Sequence, residues 1–124
     1  MKLRIRSNTL RLRLNQKEVE ALSAGEVIKE KIDFPGSTAL SYILTTAPSG
    51  EAQLSFENGT IHITAPRVPL MNWVSSDEVG IYFTLQTGEK PLKISIEKDL
   101  ACIDGPEEER DPHAFPRELS EKVC

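Results

Sequence analysis

The first fourteen residues alternate between apolar and polar side chains, with a single interruption. Alternation with a period of two is typical of a β-strand that buries one face. Ser7 and Asn8 interrupt the pattern, and we predict a two-residue turn there because Asn tolerates positive φ. The predicted hairpin pairs Ile5 with Leu10, so its apolar side chains share one face. The opposite face carries five basic side chains, Lys2, Arg4, Arg6, Arg11 and Arg13.

A short helix is predicted directly after this hairpin. Asn15 is a suitable N-cap, and Glu18 three residues later completes a capping-box pattern. Val19 and Leu22 lie on one helical face, and Gly25 is a natural stop. A helix this short needs tertiary contacts to be stable, so we expect it to pack on the sheet.

A second hairpin is the strongest local signal in the chain. Asn58-Gly59 separates the alternating runs AQLSFE and TIHITA, which indicates a type I′ turn. In this register Phe56 faces Ile61, and Leu54 faces Ile63. Four other segments have strand patterns, at residues 26–34, 38–47, 80–86 and 92–103.

A second short helix is predicted between the later strands. Pro69 suits a first helical turn, and Leu70, Trp73 and Val74 follow at helical spacing. The chain lacks long crossover helices, so we predict antiparallel pairing. The predicted fold is α+β and mainly β: about eight strands in a curled antiparallel sheet, barrel-like or a sandwich, with two short helices. No repeat of solenoid length is evident.

Composition divides the chain into a domain and a tail. We expect 124 residues to form one β-rich domain at 1–103, and residues 104–124 to form an acidic, proline-containing tail that is flexible or loosely docked. Two cysteines make no disulfide framework, which favours a reducing compartment. The charged N-terminus does not resemble a signal peptide, and no apolar run is long enough to span a membrane.

The basic face of the first hairpin raises an electrostatic problem. Arg4 faces Arg11 and Lys2 faces Arg13, and like charges directly opposite one another are destabilising. The protein could supply the counter-charge itself, since the segment from Glu97 onwards has nine acidic and four basic residues. An external phosphate-bearing ligand could also supply it. We favour the internal solution, because no aromatic residue interleaves with the basic ones and no glycine-rich phosphate loop is present.

A closed barrel would reverse this interpretation. If the basic face lined a lumen, a phosphate- or nucleotide-binding barrel would result, and it could be an enzyme acting on polyphosphorylated ligands. Glu97 and Asp99 would then lie close enough to assist a metal.

Catalytic, metal and cofactor sites are not predicted. Ser55 and His62 face each other in the second hairpin, but a catalytic serine also needs an orienting acid and an oxyanion hole. Trp73 and Phe115 are candidate anchors for a protein partner, although a lone Trp at helical spacing more often belongs to the core.

The order of several motifs resembles that of a family of small uncharacterised bacterial proteins. The start KLRIRSNTLRLRL fits a K-[IL]-R-I-x-x-N-[ST]-[IL]-R-L-R-L pattern, and residues 97–102 read E-K-D-L-A-C. An acidic tail with A-F-P follows at residues 114–116. The resemblance implies a bacterial, cytoplasmic protein and implies no activity.

The sequence therefore predicts a small binding or interaction protein without a cofactor. Its partner would be a protein or an anionic ligand that contacts the basic hairpin. The net charge of −4 argues against nucleic acid as that partner, and no membrane is expected. The oligomeric state is left open.

Overall fold

A computed structural model of the chain describes residues 1–100 and 112–115. It confirms the predicted class: eight strands and two short helices form an α+β fold that is mainly β. The predicted tail at 104–124 lies outside the described residues, apart from the segment 112–115. The two cysteines lie outside them as well.

The strands form two separate four-stranded sheets. The first sheet has the order β1-β2-β8-β7, and the second has the order β3-β4-β6-β5. The strands are β1 (Lys2–Arg6), β2 (Thr9–Leu14), β3 (Ile28–Phe34), β4 (Thr38–Ala47), β5 (Gln53–Glu57), β6 (Thr60–Pro66), β7 (Gly80–Leu85) and β8 (Leu92–Lys98). The helices are α1 (Gln16–Ser23) and α2 (Arg67–Val74).

Local features of the sequence are found where the patterns place them. Ile5 pairs with Leu10 in the first hairpin, and Phe56 pairs with Ile61 in the second. Asn15 and Glu18 form the predicted capping box. One detail of the first turn differs, since Ser7 takes positive φ (51°) and Asn8 does not.

Pairing between distant strands is where the sheets depart from the predicted antiparallel arrangement. All four hairpins are antiparallel, but β2 runs parallel to β8, and β4 runs parallel to β6. The sheets are therefore mixed. They do not close into one barrel within the described residues, so the basic face does not line a lumen. Both parallel pairs join strands that are not consecutive in the chain, and local periodicity carries no information about which non-consecutive strand becomes a neighbour.

The two halves of the chain share one architecture, an internal repeat that was not evident in the sequence. Each half has the order ββαββ, and Lys2–Arg6 corresponds to Gln53–Glu57 at a distance of 51 residues. Helix Gln16–Ser23 corresponds to Arg67–Val74 at the same distance. The equivalent strands are β1 and β5, β2 and β6, β3 and β7, and β4 and β8. If each strand of the second sheet is replaced by its equivalent, the order read backwards is that of the first sheet. Only two residues of the aligned stretch 2–23 are identical in the second half, which hides the repeat.

One hydrophobic core joins both sheets and both helices. The helices contact each other, and each contacts the strands before and after it. Equivalent positions of the two halves contribute equivalent side chains: Leu12 and Ile63 from central strands, and Leu22 and Trp73 from the helices, all at most 1% exposed. Because each sheet contains a hairpin from each half, neither half encloses this core alone.

We predict that Leu70→Ala lowers the free energy of unfolding by about 2–5 kcal/mol, since it leaves a cavity at a fully buried site. Val68→Ala on the same helix is the matched control, because Val68 is 67% exposed, and its change should stay within about 0.5 kcal/mol. Urea denaturation followed by the fluorescence of the single Trp measures both. Equal losses in the two variants would contradict the assignment of this core.

A candidate anion site on the first sheet

The outer face of the first sheet, opposite the core, collects the basic residues of the N-terminal hairpin. Alternation in β2 buries Leu10, Leu12 and Leu14 and therefore turns Arg11 and Arg13 outwards. Strand β1 adds the outward side chains Lys2, Arg4 and Arg6 at the sheet edge. Strand β8 adds Lys93, Ser95 and Glu97, because the parallel register sets them beside Thr9, Arg11 and Arg13.

One end of this face is neutralised by the protein's own carboxylates. Lys2 Nζ lies 2.8 Å from Asp99 Oδ2. The Nε atoms of Arg11 and Arg13 lie 3.5 and 3.8 Å from Glu97 Oε1. These two Nε atoms are buried and make no hydrogen bond in the described structure, so both contacts with Glu97 are electrostatic rather than directional.

The opposite end, at the hairpin turn, is not neutralised in this way. Arg4 and Arg6 are exposed, and within the described residues neither forms an ion pair. Together with Arg11, Ser7 and Thr9 they line a cleft of about 310 Å³, which we call the basic cleft. Guanidinium groups bind phosphate or carboxylate through paired hydrogen bonds, and the hydroxyls of Ser7 and Thr9 offer further donors.

Glu97 links the basic residues to a tyrosine that the sequence analysis did not single out. Glu97 is only 2% exposed, although alternation places its side chain on the outer face. The hydroxyl of Tyr82 donates to Glu97 Oε2 at 3.1 Å. Gly80 is the residue opposite Glu97 in β7, and a Cβ there would lie 2.7 Å from Glu97 Cγ and 3.0 Å from the Tyr82 hydroxyl. The lack of a side chain at Gly80 is what lets these two groups meet.

The phenol of Tyr82 is held in its protonated form. Partial desolvation raises its pKa above the ordinary value of 10.0, and the neighbouring Glu97 carboxylate, through its charge and its hydrogen bond, raises it further. Arg11 opposes this effect. The phenol thus remains a hydrogen-bond donor to Glu97 at neutral pH.

The two candidate anchors for a protein partner lie together, away from the basic cleft. Trp73 is 1% exposed and donates its indole N–H to Val79 O at 3.0 Å, so it belongs to the core and offers no surface to a partner. Phe115 packs partly buried against the core, and its backbone N–H donates to Asp99 O. Lys98 Nζ lies 5.8 Å from the Trp73 ring and 5.7 Å from the Phe115 ring.

Lys98 is an unusual buried cation at this place. Its side chain is shielded from solvent, and its ammonium donates to Ser76 O at 2.5 Å. Burial lowers its pKa, and the charges of Asp77 and Glu78 oppose that shift. The two aromatic faces and the carbonyl replace water around the charge.

Other chemistry-bearing residues do not form a reactive site in the described structure. His62 Nε2 contacts Thr45 Oγ1 at 3.1 Å on the second sheet, and Ser55 is its cross-strand neighbour as predicted. No group of three His, Cys, Asp or Glu side chains within residues 1–100 and 112–115 is arranged to hold a metal ion. In the same part of the chain, no helix is long and apolar enough to cross a membrane.

Comparison with protein families agrees with the resemblance seen in the motifs. A model of a family of unknown function, DUF7009, matches residues 1–119. The chain belongs to this family. No curated protein and no solved structure matches it. Because the function of this family is unknown, membership assigns no activity to the chain and no role to any of its residues.

We predict that Glu97→Gln lowers the pKa of Tyr82, because it removes a negative charge that disfavours the tyrosinate. Tyr42→Phe is the background, since the chain has only two tyrosines and Tyr82 then titrates alone. Ultraviolet absorbance across alkaline pH measures the shift. Glu57→Gln, at the end of β5 in the second sheet, should leave the titration unchanged. An unchanged titration in Glu97→Gln would show that the two groups do not interact.

We predict that Gly80→Ala lowers the free energy of unfolding by about 1–3 kcal/mol, because the new methyl group would overlap Glu97 and the backbone of β8. Gly88→Ala is the control, since a Cβ there meets no atom within 4 Å. Its stability should be unchanged or slightly higher. Thermal unfolding of both variants distinguishes them, and a neutral Gly80→Ala would refute the close approach.

Proposed function

We propose that this protein binds a small ligand through a phosphate or similar anionic group held in the basic cleft. We propose that it acts as a binding protein rather than an enzyme and that it works in the bacterial cytoplasm, an assignment that the motif resemblance to bacterial proteins supports. The single observation that carries the proposal is the pairing state of the arginines. Lys2, Arg11 and Arg13 have carboxylate partners, whereas Arg4 and Arg6 have none among the described residues and border a cleft.

Electrostatic cost supports this role for the cleft. Arg4 lies directly opposite Arg11, and such like-charged pairs weaken a two-stranded ribbon by several tenths of a kcal/mol. Glu97 relieves this repulsion for Arg11 and Arg13, whereas Arg4 and Arg6 form no ion pair with another described residue. A dianionic group in the cleft would relieve the repulsion that remains and would gain charge-assisted hydrogen bonds.

The size of the cleft restricts the ligand. A volume of about 310 Å³ is at the lower limit of small-molecule sites, and it suits a phosphoryl group with a small attached moiety. The equivalent turn in the second half carries Ser55, Glu57 and His62 in place of Arg4, Arg6 and Arg11. This difference in charge favours one anion site in each chain.

We predict that the triple variant Arg4→Gln, Arg6→Gln, Arg11→Gln weakens binding of inorganic phosphate or pyrophosphate at least 10-fold, since each arginine contributes a charge-assisted hydrogen bond. The matched control is Lys17→Gln, Lys29→Gln, Lys31→Gln, which removes the same charge from exposed positions outside the cleft. Isothermal titration calorimetry at two salt concentrations measures the affinities.

The wild-type affinity should fall as salt rises, because the ligand is anionic. Equal losses in the two triple variants would indicate binding through net charge rather than through the cleft and would contradict the proposal. Absence of phosphate and pyrophosphate binding by the wild-type protein would contradict it as well.

A further inference from the structure

An exposed aromatic ring shares the outer face of the first sheet with the basic cleft. Arg4 pairs with Arg11, Arg11 lies beside Ser95, and Ser95 pairs with Tyr82, so one row crosses all four strands. Tyr82 is 61% exposed, whereas the Ser95 between them is small and 8% exposed. The row therefore has cations at one end, the backbone of an aromatic residue at the other and only the small side chain of Ser95 between them.

The Tyr82 side chain is fixed rather than free to rotate into solvent. Its hydroxyl is anchored on Glu97, and it lies 3.0 Å from the position that a Cβ of Gly80 would occupy. The side chain thus extends along the sheet over Gly80 instead of standing away from it. An anchored ring that keeps most of its surface exposed loses little conformational entropy when a planar ligand stacks on it.

The spacing of the row matches a ligand with both an anionic and an aromatic end. Neighbouring strands lie about 4.8 Å apart, so the backbones of β2 and β7 are separated by about 10 Å. The side chains come closer than the backbones, because Arg11, which lines the basic cleft, and the Tyr82 hydroxyl contact the two oxygens of the same Glu97 carboxylate, at 3.5 and 3.1 Å. The cleft and the ring therefore lie within reach of one small ligand. Polar side chains lie on the strands between the cleft and the ring, namely Ser95, Thr84 and Lys93.

Charge on the rest of the face favours a free nucleotide over a long strand. A polymer would have to continue past the cleft, but at the other end of the hairpin Lys2 and Arg13 are occupied by Asp99 and Glu97. The chain also carries a net charge of −4, which repels a polyanion beyond the basic cleft.

We infer that the ligand is a mononucleotide whose phosphate occupies the basic cleft and whose base stacks on Tyr82. This inference rests on the proposed anion-binding function and adds the chemical class of the ligand. Tyr82 determines specificity, because it distinguishes a nucleotide from other phosphate esters of similar charge. The aromatic partner missing from the basic stretch in sequence is thus supplied from β7 in space.

The test compares adenosine 5′-monophosphate with ribose 5-phosphate on the full chain by calorimetry. The wild-type protein should bind the nucleotide about 5- to 150-fold more tightly, the range that stacking of one base gives. Tyr82→Ala should abolish this preference while leaving ribose 5-phosphate binding unchanged. Tyr82→Phe keeps the ring and should retain most of the preference. Phe56→Ala, which removes a similarly exposed aromatic residue from the second sheet, should have no effect.

The outcomes separate this inference from the proposed function. Equal binding of both ligands by the wild-type protein would overturn the nucleotide assignment and leave the anion site intact. Failure of both ligands and of inorganic phosphate to bind would overturn both proposals. A single-stranded adenylate of ten nucleotides is the third ligand to be compared. If it binds far more tightly per nucleotide than the monophosphate, the natural source is single-stranded nucleic acid, and the assignment to a free nucleotide is wrong.

Discussion

The parallel pairing of β2 with β8 is the contact on which the rest of the structure depends. It joins a hairpin from the first half of the chain to one from the second half, and the pairing of β4 with β6 does the same in the other sheet. The core is built from residues of both sheets, and each sheet needs a hairpin from each half, so the core forms only when both halves are present. The same register brings Glu97 beside Arg13 and Ser95 beside Arg11, and it thereby determines which basic residues have a carboxylate partner.

The charges of the first hairpin show how one sheet face can serve two purposes. Near the chain start, buried Glu97 and Asp99 hold Arg13 and Lys2, and their effect is structural. Near the turn, Arg4 and Arg6 form no ion pair with another described residue and border the basic cleft. Arg11 contacts Glu97 and also lines the cleft, so it couples the two regions. Buried carboxylates are destabilising unless they are compensated, which explains why Glu97 also accepts a hydrogen bond from Tyr82.

The internal repeat places this asymmetry in context. Both halves use the same elements in the same order, and they contribute equivalent apolar residues to the core. Their outer faces differ, because the second hairpin carries neutral and acidic residues at the positions of the arginines. Packing constrains inward positions through volume and shape, whereas outward positions are free to differ. One architecture thus presents two chemically distinct surfaces.

The sequence by itself determined the local structure: both hairpin registers, the capping box at Asn15 and Glu18, the turn at Asn58-Gly59 and the alternation that makes the arginines face outwards. These features depend on residues a few positions apart, so periodicity and turn chemistry are sufficient to predict them. Only the tertiary structure decided the parallel strand pairs, the burial of Glu97 and the position of Tyr82 across the sheet from Arg11. Those features arise from contacts between strands that are not neighbours in the chain, such as Arg13 with Glu97 in the first sheet and Leu44 with Ile63 in the second. No local pattern encodes which non-adjacent strand becomes the neighbour.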